Sequence, residues 1–280
     1  MKLLWTTDTH LNFINYPEEF GKELSNVISD GLIITGDISD SIRLDKNLRA
    51  VSESYKKPIY FIVGNHDFYE SSFKQMDMKL KSYNGRIHYM PQNIIKFGDV
   101  CLVGNSNWYD VRYGNEKSRI NLNDFVLIYE LRELYSDSNE LIACIRKRSH
   151  KMSKVLKSDL VAATAISDKI LIALHVPPYE EATWHEGKLS DSDWLPYFSS
   201  KFTGEVIDEF SEKFPEKKFT VLCGHTHSGG YYKRSNNVEV YTGSSKYGQP
   251  YVCGIVDTEK FSIDTITKQF PKKQTFSGRE

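Results

Sequence analysis

Three short apolar runs in the first seventy residues constrain this 280-residue chain most, because each ends in a polar tip and leads into a helix-like stretch. The runs cover residues 3–6, 32–35 and 59–63. Their tips read Asp8-Thr9-His10, Gly36-Asp37-Ile38-Ser39-Asp40 and Gly64-Asn65-His66-Asp67. Between them, residues 18–29 set Phe20, Leu24, Val27 and Ile28 on one helical stripe. Residues 42–55 do the same less cleanly through Leu44, Leu48 and Val51. Strands alternating with helices imply right-handed crossovers and parallel strands. Such sheets gather ligands beyond the carboxyl ends of their strands, where these tips would lie.

From residue 87 the pattern turns strand-rich, with runs at 87–90, 94–97 and 100–104. A helical stretch follows, striped first by Leu122, Phe125, Val126 and Tyr129, then by Leu141, Ile145, Met152, Val155, Leu156 and Leu160. Strand character returns at 170–174, 219–223, 238–242, 252–256 and 261–266, read as a meander. This order fits the α/β class: two mixed β-sheets packed face to face with flanking helices, an αββα sandwich with a helical insertion. We expect a single domain over residues 1–270, a mainly helical insertion within it at 105–165, and a frayed tail at 271–280.

The formal net charge is −1, so no global basic field holds nucleic acid by phosphate neutralisation. Cys101, Cys144, Cys223 and Cys253 show no CxxC spacing, and reduced, buried thiols are expected. The apolar start is too short for a secretory signal and no stretch reaches the length of a membrane span, so the expected place is the cytoplasm.

Two further segments follow expected strands: His175 after 170–174, and Gly224-His225-Thr226-His227 after 219–223. Five of the eight histidines thus fall at strand ends. A single strand-end histidine or aspartate is usually a hydrogen-bonded polar group or a helix cap. Seven such groups gathered at one end of a sheet would leave carboxylates and imidazoles unpaired, which is costly. Divalent cations accept mixed imidazole and carboxylate donors, and a two-metal centre needs a bridging carboxylate plus about three further ligands per ion.

Taken in order, DTH, GDISD, GNHD, the lone histidine and GHTH resemble the calcineurin-like metallophosphoesterase superfamily. The resemblance covers residues 1 to about 257, with the stretch near 105–165 outside it. It implies that Asp8, His10 and His227 hold one cation, that Asn65, His175 and His225 hold the other, and that Asp37 bridges them. Mn, Fe, Zn, Ni and Co all suit such donors. It also implies that a hydroxide shared by the cations attacks a phosphate ester while His66, a general acid rather than a ligand, protonates the leaving oxygen. Asp40 would orient His66, or else cap the helix-like segment that starts at residue 42. Asp67 is the alternative partner, or a group that supports a ligand from behind.

Phosphoprotein phosphatases of this superfamily carry arginines after GDxxD and before GNH that clamp a phosphomonoester dianion. Here those positions are Ser41 and Val63. The chain therefore resembles the phosphodiesterase-type branch, which implies a phosphodiester or nucleotide-like phosphate-ester substrate. The alternatives are a single-strand nuclease, a phosphomonoesterase of the same fold, or a catalytically inactive metal-binding scaffold. Trp108 and Tyr109 could stack on a substrate ring or simply pack. The run Arg146, Lys147, Arg148, His150, Lys151, Lys154 and Lys157 is either a solvated face or a surface that steers a polyanion. Tyr247 and Gly248 could line a rim, whereas His88 and His185 carry no motif.

Overall fold

The computed structural model describes residues 1–269, so the expected tail at 271–280 lies outside the described residues. Its strands are β1 (Lys2–Thr6), β2 (Gly31–Thr35), β3 (Ile59–Ile62), β4 (Ile87–Tyr89), β5 (Ile95–Phe97), β6 (Val100–Asn105), β7 (Lys169–Leu174), β8 (Trp184–His185), β9 (Lys188–Leu189), β10 (Lys218–Cys223), β11 (Gly230–Lys233), β12 (Val238–Thr242), β13 (Tyr251–Asp257) and β14 (Ser262–Gln269). The α-helices are α1 (Pro17–Ser25), α2 (Leu44–Ser54), α3 (Phe73–Leu80), α4 (Asp124–Leu127), α5 (Tyr129–Glu133), α6 (Ser138–Thr164), α7 (Leu195–Phe198) and α8 (Lys201–Lys213). One six-stranded sheet has the order β14-β13-β1-β2-β3-β4, and a second has β11-β12-β10-β7-β6-β5. In the first, β1 to β4 run parallel out to one edge, with β13 and β14 antiparallel at the other; in the second, β6, β7, β10 and β12 run parallel between the antiparallel edges β5 and β11.

Alternation along the central strands explains the layering, because successive side chains leave opposite faces of a strand. Leu3 and Trp5 of β1, Ile33 of β2, Tyr60 and Ile62 of β3, Leu102 of β6, Leu171 of β7 and Leu222 of β10 form the core between the sheets. The intervening Leu4, Leu32, Ile34 and Phe61 pack outward with Phe20 and Leu24 of α1 and Leu44, Leu48 and Val51 of α2. On the far side, Ile170, Ile172 and Val221 meet Leu156 and Leu160 of α6 and Ile207 and Phe210 of α8. The 27-residue α6, about 40 Å long, spans both outer layers. Leu141 and Ile145 join the first layer, and Leu156 and Leu160 the second.

Several expectations need correction. Helix α1 stops at Ser25, and Ile28, expected on its stripe, is 90% exposed. The stretch 122–129 breaks into α4 and α5 because Ile128 is extended and bridges Ser71. Helix α8 crosses between β7 and β10, so the last third is not a simple meander. Val206, Ile207, Phe210 and Phe214 form the stripe that packs this helix against the second sheet. No helix among the described residues is long and apolar enough to cross a membrane.

Leu171 is fully buried on the inter-sheet face of β7, so Leu171→Ala is expected to lower the unfolding free energy by roughly 2–5 kcal/mol. Urea denaturation measures this, and an unchanged midpoint would contradict the packing described.

Candidate metal centre

All five polar segments lie at the carboxyl ends of strands, three from one sheet and two from the other, and hydrogen bonds knit them together. Asp8 N donates to Gly36 O and His10 N to Asp37 O, both at 3.0 Å, so the turns after β1 and β2 run side by side. His66 N donates to Asp37 Oδ1 at 2.9 Å. Across the sandwich, His225 N donates to Asp8 Oδ2 at 3.0 Å and His175 Nδ1 to Thr35 O at 2.9 Å. Thr7 Oγ1 donates to Asp8 Oδ2 at 2.6 Å and further orients that carboxylate.

Two clusters result. Ligand atoms of Asp8, His10, Asp37 and His227 all lie within 4.8 Å of one another, and so do those of Asp37, His175 and His225. Asp37 belongs to both. Asn65 joins the second cluster, with Oδ1 3.1 Å from His175 Nε2. The structure therefore brings all seven expected ligands together.

Backbone conformation is unusual there. Asp8, His10, Asp37, His225 and His227 have φ of 46°, 43°, 48°, 73° and 60°, left-handed values that cost about 1–3 kcal/mol each for residues other than glycine. They are five of the ten non-glycine residues with positive φ among those described. Close approach explains two glycines of the segments. A Cβ on Gly64 would collide with Asp37 Oδ1 and His175 Nε2, and one on Gly224 with Thr7 Oγ1 and Asp8 Oδ2.

The donor set fits cations. His175 gives its Nδ1 proton to Thr35 O, and His225 Nε2 lies 2.9 Å from Tyr197 O. With both far nitrogens carrying protons, neutral rings turn the lone pairs of His175 Nε2 and His225 Nδ1 toward each other at 3.2 Å. His10 Nε2 and His227 Nε2 also face each other at 3.2 Å. The lone pairs of His175 and His225 need positive charge between them, which a cation or a proton provides; at the other pair His10 Nδ1 has no partner among the described residues, so no hydrogen bond fixes which nitrogen carries the proton.

Electrostatics agree. Burial opposes ionisation of Asp8, but the hydrogen bond of His227 and the charges of His175 and His227 hold it at about 2. Burial likewise works against Asp37, yet His175 and His66 keep it well below the usual carboxylate range. Burial disfavours a charged His175, but the Asp37 carboxylate outweighs it and pushes the imidazole to about 10. His10 and His225 go the other way, down to about 3 and about 4, chiefly through burial.

The remaining expected residues divide. His66 sits at the mouth, with Nε2 3.9 Å from Asp37 Oδ2 and its ring 4.3 Å from that of Tyr69. Asp67 accepts from the backbone N–H groups of Ile38, Ser39 and Gly64 and so ties two of the turns together. Asp40 does not meet His66. Its Oδ1 accepts from Arg43 N at 2.8 Å and its Oδ2 pairs with Arg43 Nε at 3.2 Å, so it holds the turn that leads into α2 rather than capping that helix. Trp108 and Tyr109 are buried and offer no face for stacking. Trp108 packs edge-on with Phe68 and Phe73, and Tyr109 donates to Asp124. Their neighbour Asn107 instead fastens the turn after β7, accepting from His175 N and Val176 N.

Sequence reasoning missed Asp124, which accepts from Asn65 Nδ2 at 2.8 Å, and no local pattern marks it. Tyr247 carried no decisive signal either. Its ring lies 4.3 Å from that of His10 and 5.0 Å from those of Phe13 and His227.

Two mixed sheets that converge their strand ends on a doubled nitrogen-and-oxygen cradle define a metallophosphoesterase. More specifically, residues 1–229 match the calcineurin-like phosphoesterase family, and the chain belongs to it. A Fibrobacter succinogenes protein named "Probable cyclic nucleotide phosphodiesterase" is 33% identical over 91 residues, 31% of this chain and 34% of its own length. The match thus spans about a third of that relative. The phosphopantetheinyl hydrolase of Mycobacterium tuberculosis superposes with a TM-score of 0.61 at 12% identity, covering 88% of this chain and 89% of that one. A dimetal phosphatase from Danio rerio does so with a TM-score of 0.55 at 13% identity, covering 91% of each.

Gly64→Ala is expected to leave the chain folded but to weaken divalent-metal binding about 10- to 100-fold, by displacing Asp37 and His175. Titration calorimetry with Mn²⁺ reads this, and wild-type affinity in the variant would refute the close approach.

Proposed function

We propose that this chain hydrolyses a phosphodiester or nucleotide-like phosphate ester at two divalent cations. Asp8, His10 and His227 hold one, Asn65, His175 and His225 the other, and Asp37 is shared. The observation that carries this reading is the membership of Asp37 in both clusters, because a shared carboxylate is what a two-metal centre requires. When bound, the cations supply Lewis acidity that brings a water's pKa toward neutrality and offsets charge on the phosphoryl oxygens.

The chain's own groups do the rest. His66 stands beside Asp37 with its ring partly exposed, between the rings of His10 and Tyr69, where a protonated imidazole can deliver its proton to a leaving oxygen. Ring contacts with Tyr69 and His10, rather than Asp40, hold it in place. The seven ligand groups hydrogen-bond to no lysine or arginine among the described residues. Arg43, the nearest guanidinium along the chain, is committed to Asp40 and Asn12 O. With Ser41 and Val63 at the two clamp positions, the site suits a diester monoanion better than a monoester dianion. Phe13 and Tyr247, 57% and 45% exposed, add an aromatic rim beside His10 that suits the ring of a nucleotide. The name of the Fibrobacter relative points the same way.

A polyanion is not favoured. Of the basic run, Arg148 and Lys151 pair with Asp77, Arg146 with Glu116 and Lys157 with Glu209. We further place residues 1–270 in one domain with 105–165 as its insertion, and the enzyme in the cytoplasm, which suits four free cysteines.

His66→Ala should keep its metal yet lose roughly two to four decades of rate on esters with poor leaving groups. Loss of metal or unchanged turnover counts against the acid role. Wild-type enzyme with Mn²⁺ should prefer bis(p-nitrophenyl) phosphate to p-nitrophenyl phosphate, and the reverse order would favour a monoesterase.

A further inference from the structure

We propose that Asp124, carried by the insertion helix α4, is the positioning residue that turns the carbonyl oxygen of Asn65 toward the second cation, an inference that rests on the two-metal reading above. A primary amide has two ends, and only its oxygen can bind a cation. The nitrogen must therefore be held elsewhere. Asn65 Nδ2 donates to Asp124 Oδ1 at 2.8 Å, while Oδ1 faces His175 Nε2 at 3.1 Å. Rotating the amide by half a turn would set two oxygens against each other at the Asp124 end.

Asp124 is suited to this because it is buried and collects two further donors, Tyr69 Oη on Oδ1 and Tyr109 Oη on Oδ2, each at 2.7 Å. Three donors on two oxygens leave the carboxylate one orientation. Its charge also polarises the Asn65 amide and makes the carbonyl oxygen a better ligand. Both tyrosines reach the site: the Tyr69 ring lies against His66, and the Tyr109 ring is stacked 6.3 Å from that of His225. The backbone locks the helix in register with the Asn65 turn, since Glu70 N donates to Leu127 O and Tyr129 N to Ser71 O. Residues from the insertion thereby complete one half of the centre and leave the Asp8–His10–His227 half untouched.

Metal binding tests this independently of turnover, through titration calorimetry and metal analysis with Mn²⁺ after chelation. Wild type should take two equivalents. If it takes none, the two-metal reading itself fails. Asp124→Asn should retain one tight equivalent and bind the second about 10- to 100-fold more weakly. In an Asn65→Ala background it should have no further effect, because Asp124 acts through Asn65. Two tight equivalents in Asp124→Asn, or equal weakening of both, would overturn the proposal. Should Asp124→Asn not fold, Tyr109→Phe, which removes the donor on Asp124 Oδ2, carries the test: the second equivalent binds more weakly and the first is unchanged, or the proposal is wrong.

Discussion

The architecture answers to the electrostatic demand of one carboxylate. Asp37 is buried, carries a charge, and stands within reach of His175, His66 and the facing imidazoles on either side. A buried charge of that kind persists only when opposite charge and N–H donors surround it. The surrounding groups come from both sheets, so satisfying Asp37 requires the sandwich to close. The inter-sheet core of Trp5, Leu102, Leu171 and Leu222 supplies the apolar burial that closes it, and the polar end of that interface becomes the site.

Strain is concentrated where this convergence is tightest. Left-handed backbone at Asp8 and His10 turns two side chains, two residues apart, toward one point, which an extended strand end could also do only along a single line. His225 and His227, also left-handed, come from the opposite sheet and part, His225 to the cluster of His175 and His227 to that of Asp8 and His10. Hydrogen bonds such as His225 N to Asp8 and Asp67 to three backbone N–H groups over-determine these turns and hold residues that would otherwise relax.

Strand ends and candidate ligands were legible in the sequence because both are local patterns: an apolar run buried on two faces, then an acid or imidazole within a few residues. Residues that act at a distance were not legible. Asp124 meets Asn65 across 59 positions, inside a stretch whose apolar stripe drew the eye to Phe125 and Val126, and Val126 turned out exposed. Asp40 illustrates a competition that composition cannot settle. A carboxylate three residues before an arginine at a helix start can serve either neighbour, and Arg43 took it. Trp108 and Tyr109 failed as contacts for a related reason, since large aromatics after a buried strand are first of all volume for the core.

Pairing of Asp8 with His225 and of His10 with His227, each across 217 residues, has a consequence for how the molecule is made. At ribosomal speeds of about 5–20 residues per second, roughly ten to forty seconds separate the emergence of the first carboxylate from that of its last imidazole. Until then Asp8, His10, Asp37 and Asn65 lack the donors of the second sheet, so both clusters are completed only late in synthesis.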